Sequence, residues 1–434
     1  MTHQATARAA GRTAYPPVDP DAVAYLVSRY PWVSHTFIDS EIQGLEALGR
    51  TVHRFSVRPC PRQDLLTDHM VAEADRTTVL LGDVRATMPA AHLRALRTAP
   101  GSWVGGLSRA MRTGDRTARA RLWQTFYFAE AVTLLDHLRR IGVRHVHVHF
   151  ANVSADVARL AVHLGRSQDG PAGGWRWSMS MHGPTEFEAV EKVDLAAKVR
   201  DADAVMPISD FARSQMMRLV EPEHWAKLRV VRMSVDADRF TPPPGGRQGR
   251  PDGPLRVLTV GRLVPEKGSP VLIEALADLV DRGVDVQARV IGGGPLHDLL
   301  VRRVAERGLA DRVHLVGPVG ADRIVEHYHW ADVFCLPSFQ EGLPVVLMEA
   351  LATELPVVTT RIAAVEELVH DGASGHVVAP GRVDLLADAL GDLAHDPVRR
   401  RTWGARGRQD VLREFTAAVT APAMDAALRA VRPR

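Results

Sequence analysis

The stretch LRVLTVGRLVPEKGSPVLIEALADLVDRGVDVQARVIGGGP, residues 255–295, runs from an apolar segment through a glycine turn and a periodic segment to a second apolar run. LRVLTVGR reads as a strand, SPVLIEALADLVDRG as a helix and VQARVIGGGP as the next strand. Strand, helix, strand over so short a span is a βαβ unit, which requires a parallel sheet. The alternation continues. PLHDLLVRRVAERG reads as a helix, RVHLVGPV as a strand, ADRIVEHYHWA as a helix and VFCLPS as a strand. EGLPVVLMEALATE gives a helix, LPVVTTR a strand and GHVVAP a last short strand. Most of these strands end in Gly, Ser or Pro and hand over to a helix. This is the pattern of a doubly wound open sheet, which binds ligands at the carboxyl ends of its strands.

Working towards the N-terminus, the same rhythm recurs. Ala22 to Val27 is an apolar run, and Phe37, Ile38, Ile42, Leu45 and Leu48 then show helical spacing up to Gly49. TVHRFSVRP follows as a second strand, and HVHVHFA (145–151), WSMSMHG (177–183) and AVMPIS (204–209) read as further strands, with LRVVRMSV (228–235) closing the half. FTPPPGGRQGRPDGP (240–254) has the Pro, Gly and charge content of an interdomain linker. The expected fold is therefore α/β, with two doubly wound parallel-sheet, Rossmann-like domains facing a cleft. The expected organisation is a disordered tail over 1–20, an N-terminal domain over 21–240 and a linker over 241–254. A C-terminal domain over 255–410 follows, then a helix within 411–434 that packs back on the N-terminal domain. A helical insertion breaks the rhythm at 82–125. Between Ala91 and Arg121 it carries seven arginines and one acid, Asp115, with Trp103 and Leu107 among them. Such a stretch is either a solvated helical face or a membrane-surface patch for anionic lipid.

Composition sets limits. A chain of 434 residues, 46% hydrophobic and 24% charged, is ordinary for a globular protein of two or three domains. A net charge of +3 gives no global signal for nucleic acid. Two cysteines, Cys60 and Cys335, form no disulfide framework and suit a reducing compartment. The N-terminal stretch MTHQATARAAGRTAYPPVDP has no apolar core of signal-peptide type, and no window approaches a membrane span.

Three motifs carry chemistry. In VLTVGRLVPEKGSP (257–270), Gly261 allows a tight exit from the strand, Arg262 and Lys267 bracket the loop, and Gly268 and Ser269 open the next helix. Two cations at a helix N-terminus suit a diphosphate; a surface loop in which Glu266 takes up the charge is the plain alternative. In VIGGGPLHDLL (290–300), Gly292, Gly293 and Gly294 form a second turn, open either to a ligand or to close packing. No GxGxxG follows a strand and no GxxxxGK[ST] occurs, which argues against a dinucleotide fingerprint and a phosphate loop. In EGLPVVLMEA (341–350), Glu341 precedes Gly342, Leu343 and the helix-opening Pro344, and Glu349 lies eight positions on, a little over two helical turns. A carboxylate among Val345, Val346, Leu347 and Leu351 is costly without a partner, and vicinal hydroxyls of a sugar would supply one. An acid favoured by the helix dipole, for Glu341, and an acid on the helix's polar edge, for Glu349, stay open.

GRLVPEKG, then GGGP, then EGLPVVLME with its acids eight apart, resembles the signature of retaining glycosyltransferases of family four (glycosyl transferases group 1), which have the GT-B fold. SRYPWVSHTFIDSEI, HVHVHFAN, MHGPTEF, PISDFAR and VVRMSVDADRF look like the branch with colanic-acid-type exopolysaccharide glycosyltransferases. The resemblance implies that Arg262 and Lys267 hold a donor diphosphate and that Glu349 binds the nucleotide ribose. Glu341, with the amides of Gly342 and Leu343, would hold the donor sugar, and Gly292 to Gly294 would shape the floor of the donor site. His182 would face the reacting sugar; a hydrogen-bonded loop histidine is the alternative. Ser34 and Thr36 occupy the loop that in relatives carries glycines and lies near phosphate and acceptor, so acceptor contact and helix capping both stay open. Ser234 and Ala364 stand where relatives carry glycine.

The implied reaction moves a hexose from a UDP- or GDP-sugar to an acceptor hydroxyl with retention, on a lipid-linked saccharide or a small-molecule acceptor in exopolysaccharide or glycolipid assembly. No metal and no other cofactor is expected, nor a nucleic-acid partner. The histidines of 145–149 alternate along a strand as packed or capping side chains do. The expected location is cytoplasmic, with contact to the cytoplasmic membrane face through 91–121. A non-catalytic relative, an epimerase on the same fold and a nicotinamide dehydrogenase are the competing readings.

Overall fold

The structure, a computed structural model, describes residues 15–32, 35–82, 84–114, 117–183, 185–247 and 253–431. Twelve strands are present among them: β1 Val23–Arg29, β2 Val52–Arg58, β3 Thr77–Val79, β4 His145–His149, β5 Arg176–Met181, β6 Ala204–Pro207, β7 Leu255–Val260, β8 Val286–Ile291, β9 Val313–Gly317, β10 Val333–Leu336, β11 Val357–Thr360 and β12 Gly375–Val378. They form two six-stranded sheets, ordered β3-β2-β1-β4-β5-β6 and β12-β11-β10-β7-β8-β9. All pairings are parallel. Counted from its own first strand, each sheet has the order 3-2-1-4-5-6 of a doubly wound domain. The order reverses between β1 and β4 in one and between β7 and β10 in the other, and doubly wound sheets bind ligands at such switch points.

Parallel strands buried on both faces read as near-continuous apolar runs, and β1 is VAYLVSR with its first five residues buried. One face of the first sheet packs Ala24, Leu26, Val146 and Val148 against Phe128, Leu135 and Leu160 from the covering helices. The second sheet buries Val257, Ala288, Val290 and Cys335 against Leu272, Leu276 and Leu390.

Several boundaries differ from the sequence reading. The insertion is three helices, Val84–Thr98, Pro100–Arg112 and Ala118–Ile141, so it runs past residue 125. The short β3 was not foreseen, because three residues give too little alternation to register. Residues 228–235 make only isolated bridges, Val205 to Leu228 and Val235 to Thr416. The tail expected over 1–20 is corrected for its described part: residues 15–20 lie on the end of the Ala118–Ile141 helix, where Asp19 donates to the Gly142 carbonyl at 3.0 Å. Gly142 has φ +72°, and a Cβ there would lie 2.4 Å from the Pro17 oxygen. Within 241–254, residues 248–252 lie outside the described residues. Arg247 is docked rather than free, donating to the main-chain oxygens of Tyr328 at 3.0 Å and Thr353 at 3.1 Å.

The chain crosses between the halves twice. After the second sheet, the helix Pro397–Glu414 passes residue 410 and leads into the last helix, Ala417–Arg429. That helix lies on Thr36–Ala47 of the first half, so tightly that a Cβ on Gly44 would fall 2.6 Å from that of Ala421. Arg50 pairs with Asp425 at 2.6 Å. The two crossings are stitched together, with Val235 N donating to Phe415 O at 2.8 Å.

Candidate functional site

The loops after β7 and β10 meet where the strand order of the second sheet reverses. Gly268, at φ +62°, has no room for a side chain, since a Cβ would sit 2.1 Å from the Pro337 carbonyl oxygen. Phe339 N donates to Glu266 O at 2.8 Å, which ties the loops together. The helix Ser269–Asp281 starts from Gly268 with no side-chain cap, leaving its positive end open to an anion.

The charged residues gather here. Lys267 Nζ lies 2.5 Å from Glu341 Oε1, and Ser338 Oγ donates to the same oxygen at 2.7 Å. Glu341 is buried. Lys267 therefore pairs with an acid 74 positions away, and Glu266 does not take it. Arg262 is exposed on the same loop, and among the described residues it has no carboxylate within ion-pair distance. Likewise, among the described residues, the amides of Gly342 and Leu343 have no hydrogen-bond acceptor. Leu343 is itself buried in the core of the second half.

Gly292 and Gly294 are closely packed. A Cβ on Gly292 (φ +136°) would lie 1.9 Å from the Gly261 oxygen, and one on Gly294 (φ +154°) 2.5 Å from the Leu263 oxygen. Gly261 N donates to Ile291 O and Leu263 N to Gly293 O, each at 2.9 Å. The glycine turn is thus a brace under the Arg262 loop, and a side chain at 292 or 294 would push that loop away.

Glu349 lies on the helix Val345–Ala352, partly buried. The Tyr328 hydroxyl lies 2.7 Å from its Oε2. Burial lifts the Glu349 carboxyl to about 7, a rise that the Tyr328 hydroxyl and the Arg239 charge oppose. Its other oxygen has no partner among the described residues. Tyr328 is fully buried and sits on the apolar face of the helix Ala321–Trp330. The pairing joins two helices through side chains 21 positions apart, so nothing local in the sequence marks it.

His182, one residue past β5, meets this loop from the first half. A Cβ on Gly342 would fall 2.2 Å from the His182 carbonyl oxygen, so the halves touch through backbone at that point. The His182 ring faces inward: Nε2 is 3.0 Å from His149 Nδ1, Nδ1 is 3.2 Å from Met233 Sδ, and Phe37 and Phe150 lie over it at 4.7 and 4.6 Å between ring centres. Burial, then the neighbouring histidines, hold it well below the usual imidazole range, so it is neutral at pH 7. Both ring nitrogens are engaged. Phe150 has φ +71°, a strained backbone for a bulky residue at the edge of the site.

The HVHVH strand turns three rings to one face. His147 is bonded to Ser178 at 2.9 Å and Ser180 at 3.1 Å, and His145 to Ser178 at 2.8 Å. Glu41, His147 and His149 bring ligand atoms within 4.8 Å of one another, as a metal would need. His147 is bonded to two serines through its two nitrogens and Glu41 takes the Tyr25 hydroxyl at 2.6 Å, while His149 Nε2 lies 3.4 Å from Glu41 Oε1.

Of the acceptor-side candidates, Ser34 lies outside the described residues. Thr36 is exposed in the first turn of its helix, whose cap position is His35 with no side-chain bond, so Thr36 does not cap it. Ser234 Oγ is buried with no hydrogen-bond partner among the described residues, and its neighbour Met233 touches His182. The left-handed residue near the second missing glycine is Ala363 (φ +43°), one position before Ala364. Sequence reasoning missed Glu367, which accepts from the amides of Asp210 at 3.0 Å and Phe211 at 2.8 Å and pairs with Arg232 at 2.9 Å. It latches the second half to the first.

Residues 246–410 match the family described as "Glycosyl transferases group 1". The chain is 33% identical over 316 residues, 69% of its own length and 80% of the relative's, to the GDP-mannose-dependent alpha-(1-6)-phosphatidylinositol monomannoside mannosyltransferase of Mycolicibacterium smegmatis. It is 27% identical over 424 residues, 91% of this chain and 96% of the other, to the putative colanic acid biosynthesis glycosyltransferase WcaL of Salmonella typhimurium. Among solved structures it is similar to sucrose-phosphate synthase from Thermosynechococcus elongatus, with TM-score 0.69 and 20% identity over 94% of this chain and 98% of that one. It is also similar to Anabaena Alr3699/HepE in complex with UDP and glucose, with TM-score 0.68 and 16% identity over 94% and 99%.

Proposed function

The chain belongs to the group 1 glycosyl transferases and has the GT-B fold, and from that premise we propose that it transfers a hexose from a UDP- or GDP-sugar to an acceptor hydroxyl with retention and without a metal. One observation carries the proposal. Lys267, Arg262, buried Glu341 and an uncapped helix N-terminus converge where the strand order of the second sheet reverses.

In the proposed reaction the diphosphate lies against Arg262, Lys267 and the start of the Ser269–Asp281 helix. Negative charge grows on the leaving phosphate as the anomeric bond breaks, and these groups meet it there, the role a divalent cation would otherwise fill. Glu341 has one oxygen committed to Lys267 and Ser338 and, with the Gly342 and Leu343 amides, orients the donor hexose. Glu349 receives the ribose hydroxyls. The acceptor hydroxyl adds to the anomeric carbon on the face the phosphate leaves, and its proton passes to a leaving phosphate oxygen. The inward-turned His182 contributes its backbone to the wall of the sugar site. Closing the halves on both substrates supplies orientation and excludes water.

The proposed acceptor is a lipid-linked saccharide met at the cytoplasmic membrane face. The support is the insertion, where Leu93, Leu96, Val104, Leu122 and Phe126 are exposed beside Arg97 and Arg112. No helix among the described residues is long and apolar enough to cross a membrane. Co-sedimentation with phosphatidylglycerol vesicles should fall when Arg97 and Arg112 are both changed to Gln; unchanged binding removes the membrane contact.

The decisive experiment is thermal stabilisation by UDP-, GDP-, ADP- and dTDP-sugars on wild type and Glu349→Ala, followed by product analysis. One donor is expected to stabilise wild type alone, to be turned over equally in EDTA, and to give a product with the donor's anomeric configuration. No stabilisation by any donor, or an inverted product, overturns the reading.

A further inference from the structure

A cavity of about 540 Å³ lies beside the insertion, away from the Lys267–Glu341 cluster. Trp123, Gln124 and Tyr127 line it from the Ala118–Ile141 helix, Asn152 and Asp156 from the turn and helix after β4, and Lys192 from the segment after β5. Its volume is that of a small-ligand site. It sits at the carboxyl end of β4 and shares that turn with Phe150, whose ring lies on His182. It therefore belongs to the ligand-binding end of the first sheet.

The lining is specific in kind. Trp123 is 42% exposed, and its ring lies 6.3 Å from that of Tyr127 at 29° between planes, giving a broad aromatic wall. Gln124 is 8% exposed, and its Oε1 is buried with no hydrogen-bond partner among the described residues. A buried acceptor left unmade is costly, so a donor from a ligand would relieve it. Asn152 has committed its Oδ1 to Ser28 at 2.6 Å and to the amide of Ser154 at 3.1 Å, which turns its amide nitrogen to the other side. Asp156 is held by Lys198 at 2.9 Å, while Lys192 is exposed and has no ion pair among the described residues.

We propose that this cavity seats a pyranose ring of a saccharide acceptor, packed on Trp123 and Tyr127 and donating a hydroxyl to Gln124 Oε1. This rests on the transferase reading above. The axial C–H bonds of a pyranose are weakly positive and suit the negative face of an aromatic ring, while its hydroxyls serve the amides and carboxylates. An acyl chain would leave the buried Gln124 Oε1 and the Asn152 amide nitrogen without partners. The contact lies away from the reacting centre, so the binding energy of this ring would orient the acceptor hydroxyl at the donor.

The test uses the full chain and saturation-transfer NMR with methyl α-D-glucopyranoside, methyl α-D-mannopyranoside, methyl β-D-galactopyranoside, D-glucuronate and UMP. Thermal stabilisation by nucleotide is read on the same samples. At least one glycoside should receive saturation from wild type, and the transfer should fall at least about fivefold in Trp123→Ala and in Lys192→Gln. Both changes are at exposed positions and should leave nucleotide stabilisation intact. No transfer to any glycoside, equal transfer in wild type and both variants, or a Trp123-dependent signal from UMP alone overturns the proposal. If nucleotide stabilisation persists in that event, the transferase reading stands; loss of both would remove the two together.

Discussion

Replacing Glu349 with Gln should make the protein more stable and unable to bind its donor. A carboxyl lifted from 4.5 to about 7 carries about 3 kcal/mol against its charged form, at about 1.4 kcal/mol per pH unit. Partial exposure to solvent trims this to about 2 kcal/mol. The sign follows from proton counts. Below pH 4.5 the group is protonated in both folded and unfolded chains, and nothing is lost. Between 4.5 and 7 the folded chain holds a proton the unfolded chain has released, so stability falls as pH rises, and above 7 the penalty is complete. Gln keeps an oxygen for the Tyr328 hydroxyl and never ionises. The gain of Glu349→Gln over wild type should be about 2 kcal/mol at pH 8 and a small fraction of that at pH 4.5. At about 2 cal/mol/K per residue, the gain is roughly 2 °C in melting temperature if the chain unfolds as one unit, and about twice that if the half with Glu349 unfolds alone. Differential scanning calorimetry at both pH values, with and without nucleotide, reads both effects. A variant no more stable than wild type at pH 8, or equally stabilised at both pH values, would refute the buried-charge argument. A variant still stabilised by the donor would refute the ribose role.

Lys267→Ala should lower kcat by about 10²- to 10³-fold, the usual effect of losing a charge-stabilising group, and a nucleotide-release assay within tenfold of wild type would sink the assignment. Gly342→Ala places a Cβ 2.2 Å from the His182 oxygen; it should hold the halves apart, cutting kcat/KM at least about tenfold while nucleotide binding to the second half persists, and small-angle scattering should show a larger radius of gyration. Ala363→Gly relieves a left-handed alanine at φ +43°, so a gain of about 0.5–1 kcal/mol in urea unfolding is expected, and a loss would show that the local backbone is not strained.

The two sheets were legible because each strand of the second half carries its own apolar run and all but β11 are followed within two residues by Gly or Pro. Those signals are local, and so are the turns that bear Arg262 and Lys267. The partners were not. Lys267 finds Glu341 and Ser338 only because the switch in strand order lays the β7 and β10 loops together, and Glu349 finds Tyr328 across two helices. Glu367 reaches amides 156 and 157 positions away. The glycine triplet illustrates the limit: spacing allowed either ligand approach or packing, and the close packing at 292 and 294 shows only in the carbonyls of Gly261 and Leu263, at 1.9 and 2.5 Å from a would-be Cβ. His182 was legible as a strand-end histidine but not in its orientation, which depends on His149 and Met233 from separate elements.

The last helix, Ala417–Arg429, finishes a surface begun near the start of the chain. Met424, Ala427 and Leu428 share a core with Val23, Ile38, Ile42 and Leu45. During synthesis, the first half emerges with that apolar face bare and must wait while the whole second half is made. At about 5–20 residues per second, the interval from residue 255 to residue 416 lasts roughly 10–30 s. Through that time the nascent first half would expose apolar surface of the kind that aggregates and that chaperones cover. A chain stopped within the second half would leave that apolar face bare, because the residues that cover it lie in the helix Ala417–Arg429.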